Sequence, residues 1–306
     1  MVLLVRGADW LVDGSVALAR RFGLSELFIG LTIVAFGTSM PELVVNIVSV
    51  LGGNPEVAIG NVIGSNVANI FLILGIAAIV APLRVQSSTV WKEIPFSLLA
   101  AALVAFLGLD TYLGGGISAL TRGDGLALIA VFAVYMWYLV GIAKADPTAA
   151  KVDVPRKIST ITTIAYIVGG LAFLVFGGRL VVDSAVALAL AAGLSTSFVA
   201  LTIVAIGTSL PELVTSVVAV RKGQDDIAVG NVVGSNIFNV FWILGATSIV
   251  GMLPFGAGDV IPVLVAALAS IFLFAFCFIG KRRAIDRWQG WAFVGMYVAY
   301  VAILLV

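Results

Sequence analysis

Two glutamates, Glu42 and Glu212, stand inside apolar runs, each directly after a proline and close behind a Gly-Thr-Ser triplet. In a membrane helix an acidic residue at mid-span costs about 2.5 to 3.5 kcal/mol, so an unpartnered pair costs roughly 5 to 7 kcal/mol. The spans that hold them supply no basic residue, which leaves a cation from solution as the natural counter-charge. Neutral oxygens stand ready around both. Thr38 and Ser39 precede Glu42, and Thr208 and Ser209 precede Glu212. Pro41 and Pro211 lack the N–H that would bond the carbonyls of Gly37 and Gly207, and the carbonyls of Ala35 and Ala205 lie a turn behind. Two carboxylates among hydroxyl and carbonyl oxygens suit a hard cation. Ca2+ takes six to eight oxygens in irregular geometry, whereas Mg2+ demands a tight octahedron and keeps its waters. The set fits Ca2+ or several Na+ ions.

A second motif follows each glutamate. Gly-Asn-x-x-Gly-Ser-Asn-x-x-Asn occupies 60–69 and again 230–239, so Asn61, Ser65 and Asn69, and equally Asn231, Ser235 and Asn239, fall four residues apart on one helix face. Gly60, Gly64, Gly230 and Gly234 would let that helix approach the glutamate-bearing one closely, as small residues do in membranes.

The elements that must position these groups are membrane helices. Of 306 residues, 61% are hydrophobic and 11% charged, against about a quarter charged in a soluble domain. Apolar stretches of roughly 20 residues, each long enough to cross the hydrocarbon, predict about ten helices, at 1–22, 24–50, 57–80, 90–109, 123–143, 159–190, 194–220, 227–250, 259–280 and 286–306. The fold class expected is therefore an all-α integral membrane protein. Val12–Val44 aligns without gaps on Val182–Val214, and the same offset of 170 carries Gly60–Gly75 onto Gly230–Gly245. The chain thus divides into a first five-helix repeat (1–143), a linker (144–157) and a second five-helix repeat (158–306). An odd number of helices per copy inverts the second repeat, a plan in which transporters place substrate near the midplane, between the halves. Only six residues precede Gly7, whereas a full apolar run precedes its counterpart Gly177, so the first helix reads as truncated.

Charge sets the orientation and excludes other functions. Counted by alternate loops, 14 basic residues fall on one side and Arg122 alone on the other, with Arg6 and Arg179 left within spans. Retention of basic residues in the cytoplasm then puts the linker inside and both termini outside a prokaryotic cell membrane. A net charge of +1 offers no nucleic-acid footprint. Cys277 is the single cysteine and histidine is absent, which removes disulfides, thiolate or imidazole metal sites and the usual acid–base catalysis; the chain is not expected to be an enzyme or to need a cofactor. Its partners are the lipid bilayer and inorganic cations, and one chain suffices to build the site.

The strings GTSMPE at 37–42 and GTSLPE at 207–212, each followed by a GNVxGSN block, resemble the alpha-repeats of the sodium/calcium exchanger family, prokaryotic type, within the cation/calcium antiporter superfamily. The similarity spans essentially the whole chain. It implies a secondary active antiporter that exchanges Ca2+ for Na+ by alternating access, with the first and sixth helices sliding as a gate across the other eight. It implies that Thr38, Glu42, Thr208 and Glu212 hold Ca2+, that Ala35, Ser39, Ser65, Ala205, Ser209 and Ser235 line flanking Na+ sites, and that Asn69 and Asn239 sit beside the middle. Many members of the family have Asp where this chain has Asn239, so a Ca2+/H+ exchanger, a K+-dependent Na+/Ca2+ exchanger and, from another class, a cation channel remain as alternatives. Asp13 and Asp183, matched across the repeat, read as interface or gate residues.

Overall fold

The computed structural model describes residues 1–108, 118–145, 159–192, 205–280 and 283–304. Among these residues lie ten helical rods: α1 (Val2–Phe22), α2 (Glu26–Leu51), α3 (Glu56–Val80), α4 (Thr89–Gly108), α5 (Arg122–Ala145), α6 (Thr160–Ala191), α7 (Ala205–Thr208 continuing as Leu210–Arg221), α8 (Asp225–Val250), α9 (Ala257–Phe276) and α10 (Arg287–Leu304). Seven are long and apolar enough to cross a membrane: α2 to α6, α8 and α9. In α1 five charged residues interrupt the run.

Where the described residues allow comparison, the expected spans match these rods closely, with one difference. α9 stops at Phe276 rather than 280 because the chain turns there, Gly280 taking φ 86°. The part of the seventh span before Ala205, and the linker from residue 146 on, lie outside the described residues. α1 has 21 residues and its counterpart α6 has 32.

The connections sort onto two faces as ten successive crossings require. On one face β1 (Leu83–Arg84), after α3, pairs antiparallel with β4 (Ala284–Ile285), before α10. The Arg84 backbone N–H donates to Asp225 at the start of α8 (3.1 Å) on the same face. On the other face β2 (Ala119–Leu120), before α5, pairs with β3 (Leu253–Pro254), after α8. No connection of one face bonds to one of the other among these contacts.

α8 lies at the centre, with every residue from Ile227 to Phe238 buried. It meets the first half of α2 through glycine: a Cβ on Gly230 would stand 3.0 Å from the Leu31 nitrogen, and one on Gly234 would stand 2.8 Å from the Ala35 Cβ. Gly60 and Gly64, expected to do the same in the other half, have no such neighbour among the described residues; the segment equivalent to the Gly30–Val34 turn of α2 is 200–204, which is not among them. α1 and α6 pack side by side through Gly7 and Gly170, where a Cβ on either would fall within 2.8 Å of the other's carbonyl oxygen. Trp10 stacks on Tyr166 and Phe173 along the same seam.

Candidate ion-binding site

Both glutamate helices are interrupted at the residue before the Met/Leu-Pro-Glu string. At Ser39 (φ −85°, ψ 5°) and Ser209 (φ −88°, ψ 6°) the helix stops and restarts with proline in its first turn, where the missing N–H costs nothing. Glu42 and Glu212 thus occupy the first turn of a new helix, the end whose free N–H groups favour negative charge. Irregular backbone of this kind is tolerated at membrane depth where it faces protein or a cavity.

Glu42 and Glu212 are each 1% exposed, and each is met by at least one hydroxyl from the opposite half. Ser39 donates to Glu212 Oε1 at 3.0 Å, and Thr38 also flanks that carboxylate. Thr208 and Ser65 flank Glu42, on which the charge of Glu212 also acts. Ser209 joins the set through Ser65, 3.4 Å between hydroxyl oxygens. The Thr38 hydroxyl is fixed from behind by the Asn231 side-chain oxygen at 2.9 Å, while the Asn231 amide donates to the Glu212 carbonyl and to Ser216. Ser235 donates to the Ala35 carbonyl at 3.5 Å, which also takes the Ser39 N–H. Ala205 begins the described part of α7, one turn before Ser209.

Asn69 and Asn239 enter from α3 and α8, at turns widened to π-helical spacing over Ala68–Leu74 and Asn239–Leu244, a distortion frequent at functional sites. Their orientation is dictated by two residues that the sequence reading did not single out, Asn66 and Asn236. Asn66 donates to the Asn236 carbonyl (3.1 Å) and Asn236 donates to the Asn66 carbonyl (3.3 Å). That leaves the side-chain oxygen of each to accept: Asn236 takes the Asn69 amide (2.9 Å) and Asn66 takes the Asn239 amide (3.0 Å). With their nitrogens spent on this ring, Asn69 and Asn239 must turn their oxygens the other way. The signal was in the sequence, since Asn66 and Asn236 match across the repeat and precede Asn69 and Asn239 by three residues.

Four buried acceptor oxygens end without a hydrogen-bond partner, two from each half at matched positions: Oε2 of Glu42 and of Glu212, Oδ1 of Asn69 and of Asn239. Among the described residues no donor reaches these four atoms, an arrangement that suits a bound cation. Among the described residues no three Asp, Glu, Cys or His side chains cluster, and the remaining ligands must be neutral.

The other predicted positions fall elsewhere. Asn61 donates to Asn46 (2.8 Å), holding α3 on α2 rather than facing the carboxylates. Asp13 pairs with Lys222 (2.8 Å), whose ammonium also meets Asp9 (3.1 Å). Asp183 pairs at 3.8 Å with Arg179 of its own helix, on an exposed surface. α6 covers the site: Leu171 packs on Gly37 and Val182 on Gly207, at the two helix interruptions.

Known proteins share this architecture. The profile of the sodium/calcium exchanger protein family matches residues 1–141 and 162–306. The sodium/calcium exchanger MaX1 of Methanosarcina acetivorans is 30% identical over 99% of this chain and 96% of its own, and the inner membrane protein YrbG of Escherichia coli (strain K12) is 33% identical over 99% and 94%. A solved structure of the sodium-calcium exchanger NCX_Mj, soaked with Na+ and Sr2+, superposes with a TM-score of 0.83 at 33% identity, covering 98% of this chain and 95% of that one. With its inverted repeats, its paired glutamates and nearly its whole length matched, this multi-pass membrane protein belongs to the sodium/calcium exchanger family.

Proposed function

We propose that the chain is a secondary active antiporter that exchanges Ca2+ for Na+ by alternating access, using the cage between its two halves. The observation that carries this reading is the matched set of four unpartnered buried oxygens on Glu42, Glu212, Asn69 and Asn239. Glu42, Glu212, Thr38 and Thr208 serve Ca2+. Ser39, Ser65, Ser209 and Ser235, with the carbonyls of Ala35 and Ala205, serve Na+ on either side, and Asn69 and Asn239 stand at the middle. Because both ions draw on the same two carboxylates, occupancy by one excludes the other, and coupling follows from that competition. A single cage enclosed by one chain also argues against a channel, which needs a continuous pore.

The test is Ca2+ uptake into sealed proteoliposomes loaded in turn with Na+, K+ or acid. Uptake that requires internal Na+ and disappears in Glu212→Gln is the expected result. Uptake driven by acid alone assigns the coupling to protons, and uptake indifferent to any counter-ion overturns antiport.

The orientation belongs to the same proposal: linker 144–157 in the cytoplasm, both termini outside. Its support is that the basic loops Arg84, Arg221–Lys222 and Arg283 all fall on one face. A cysteine placed at Gly123, next to the solitary Arg122, should react with impermeant reagent from outside intact cells.

A further inference from the structure

A cluster of buried titratable side chains around Glu93 lies outside the ion cage. Glu93, at the start of α4, is fully buried. Its Oε1 accepts from the Tyr138 hydroxyl of α5 at 2.5 Å, while its Oε2 has no partner. The hydroxyls of Thr89, which flanks the carboxyl from four residues earlier on the same face, and of Tyr135, one turn from Tyr138, are likewise buried, and neither has another hydrogen-bond partner among the described residues. Lys92 is the charged residue that acts on Glu93, but its ammonium sits 5.2 Å over the Tyr138 ring and makes no ion pair with the carboxyl. Among the side chains that α8, α9 and the turn after α9 bring against this part of α4 are Phe241, Ser270, Phe274 and Phe278, all uncharged.

The fold does not need a carboxyl there. By the offset of 170, Glu93 corresponds to Val263. Gly125 of α5 backs onto Gly245 as Gly290 of α10 backs onto Gly75, which sets Tyr300 and Ile303 where the first half has Tyr135 and Tyr138. At the corresponding positions the second half has Val263, Tyr300 and Ile303, and none of them is a carboxyl.

The group held at Glu93 must carry one positive charge and accept few ligands. A divalent ion fails on both counts, since the cluster offers one carboxyl and three hydroxyls where Ca2+ takes six to eight oxygens. A carboxylate within a membrane span that lacks a counter-charge is strongly disfavoured against its neutral acid. We propose that Glu93 is a proton-binding site separate from the ion cage, its carboxyl holding H+ on Oε2 toward the hydroxyls of Thr89 and Tyr135. Removing that proton leaves a bare charge between α4 and α5. The folded protein therefore binds one more proton than the unfolded chain over this range, and its stability falls as pH rises.

Thermal unfolding of the full chain in detergent, followed across pH at fixed salt, tests this. Glu93→Gln and Glu93→Val should match the wild type at the acid end and outlast it at the alkaline end, with a slope shallower by about one proton per molecule. Glu42 and Glu212 are common to all three proteins and cancel. Tyr138→Phe, which keeps the ring, should keep the wild-type slope. Parallel curves for wild type and both Glu93 variants overturn the proposal, and so does a slope lost in Tyr138→Phe. A wild-type slope abolished by adding Na+ or K+ at constant ionic strength also overturns it, assigning the site to an alkali cation instead.

Discussion

At the scale of single residues the cage is a problem of aiming acceptors. Asn239 donates to Asn66, and Asn66 cannot turn over because its own amide is held by the Asn236 carbonyl. A carboxylate at 239 would set oxygen against oxygen at about that 3.0 Å separation, and only a protonated acid could restore the bond. Asn239→Asp should therefore lose ~1 to 3 kcal/mol of stability on the alkaline side, with Na+-driven Ca2+ uptake that falls as pH rises. Uptake by Asn239→Asp that follows the wild-type pH profile would contradict this. Ser39 offers a milder probe. Ser39→Ala removes the donor to Glu212 without adding bulk, and should weaken apparent ion affinity while leaving the melting temperature within a few degrees, as isothermal titration and a melting curve would record. Glu42, Glu212 and their Thr-Ser neighbours were legible in the sequence because burying charge in hydrocarbon is so costly that the types alone give them away. Asn66 and Asn236 were not, because their task is to bind each other across a junction that a linear string does not display.

At the scale of elements, glycine decides how near the helices come. Gly234 brings α8 against Ala35, the residue whose carbonyl takes the Ser235 hydroxyl. Gly234→Val should push α8 from α2, cost ~1 to 3 kcal/mol by overpacking and lower Ca2+ affinity together with stability, in contrast to Ser39→Ala. α1 is held differently. Lys222, after α7, clamps Asp9 and Asp13, while the equivalents of Lys222 and Asp9 in the other half are Gly52 and Arg179, so the clamp exists on one side only. The pair is partly exposed, and such bridges contribute about 0 to 1 kcal/mol. Lys222→Met should hardly change the melting temperature yet lengthen the α1–α7 distance measured between spin labels. An unchanged distance distribution would show that helix packing alone holds α1. The number of helices and their inversion could be read from apolar runs and the offset of 170. The interruptions at Ser39 and Ser209 were only half visible, since proline announces a weak point but backbone geometry places the stop two residues earlier.

At the scale of the whole molecule, the cage belongs to neither half. Glu212 takes its hydroxyls from the first repeat and Glu42 takes one from the second, while the four asparagines bond the halves to each other by matched, reciprocal contacts. Outside this junction, α6 lies over the two helix interruptions through Leu171 and Val182 and is joined to α1 through Gly7 and Gly170. Ca2+ affinities measured from the two faces of oriented vesicles should then agree within about threefold, a difference below ~1 kcal/mol. The reciprocal asparagine ring thus has a thermodynamic meaning. A cage tied across both halves offers one set of oxygens to an ion from either side, and the direction of exchange is then left to the ion gradients, so that the same molecule can load a compartment with Ca2+ or empty it.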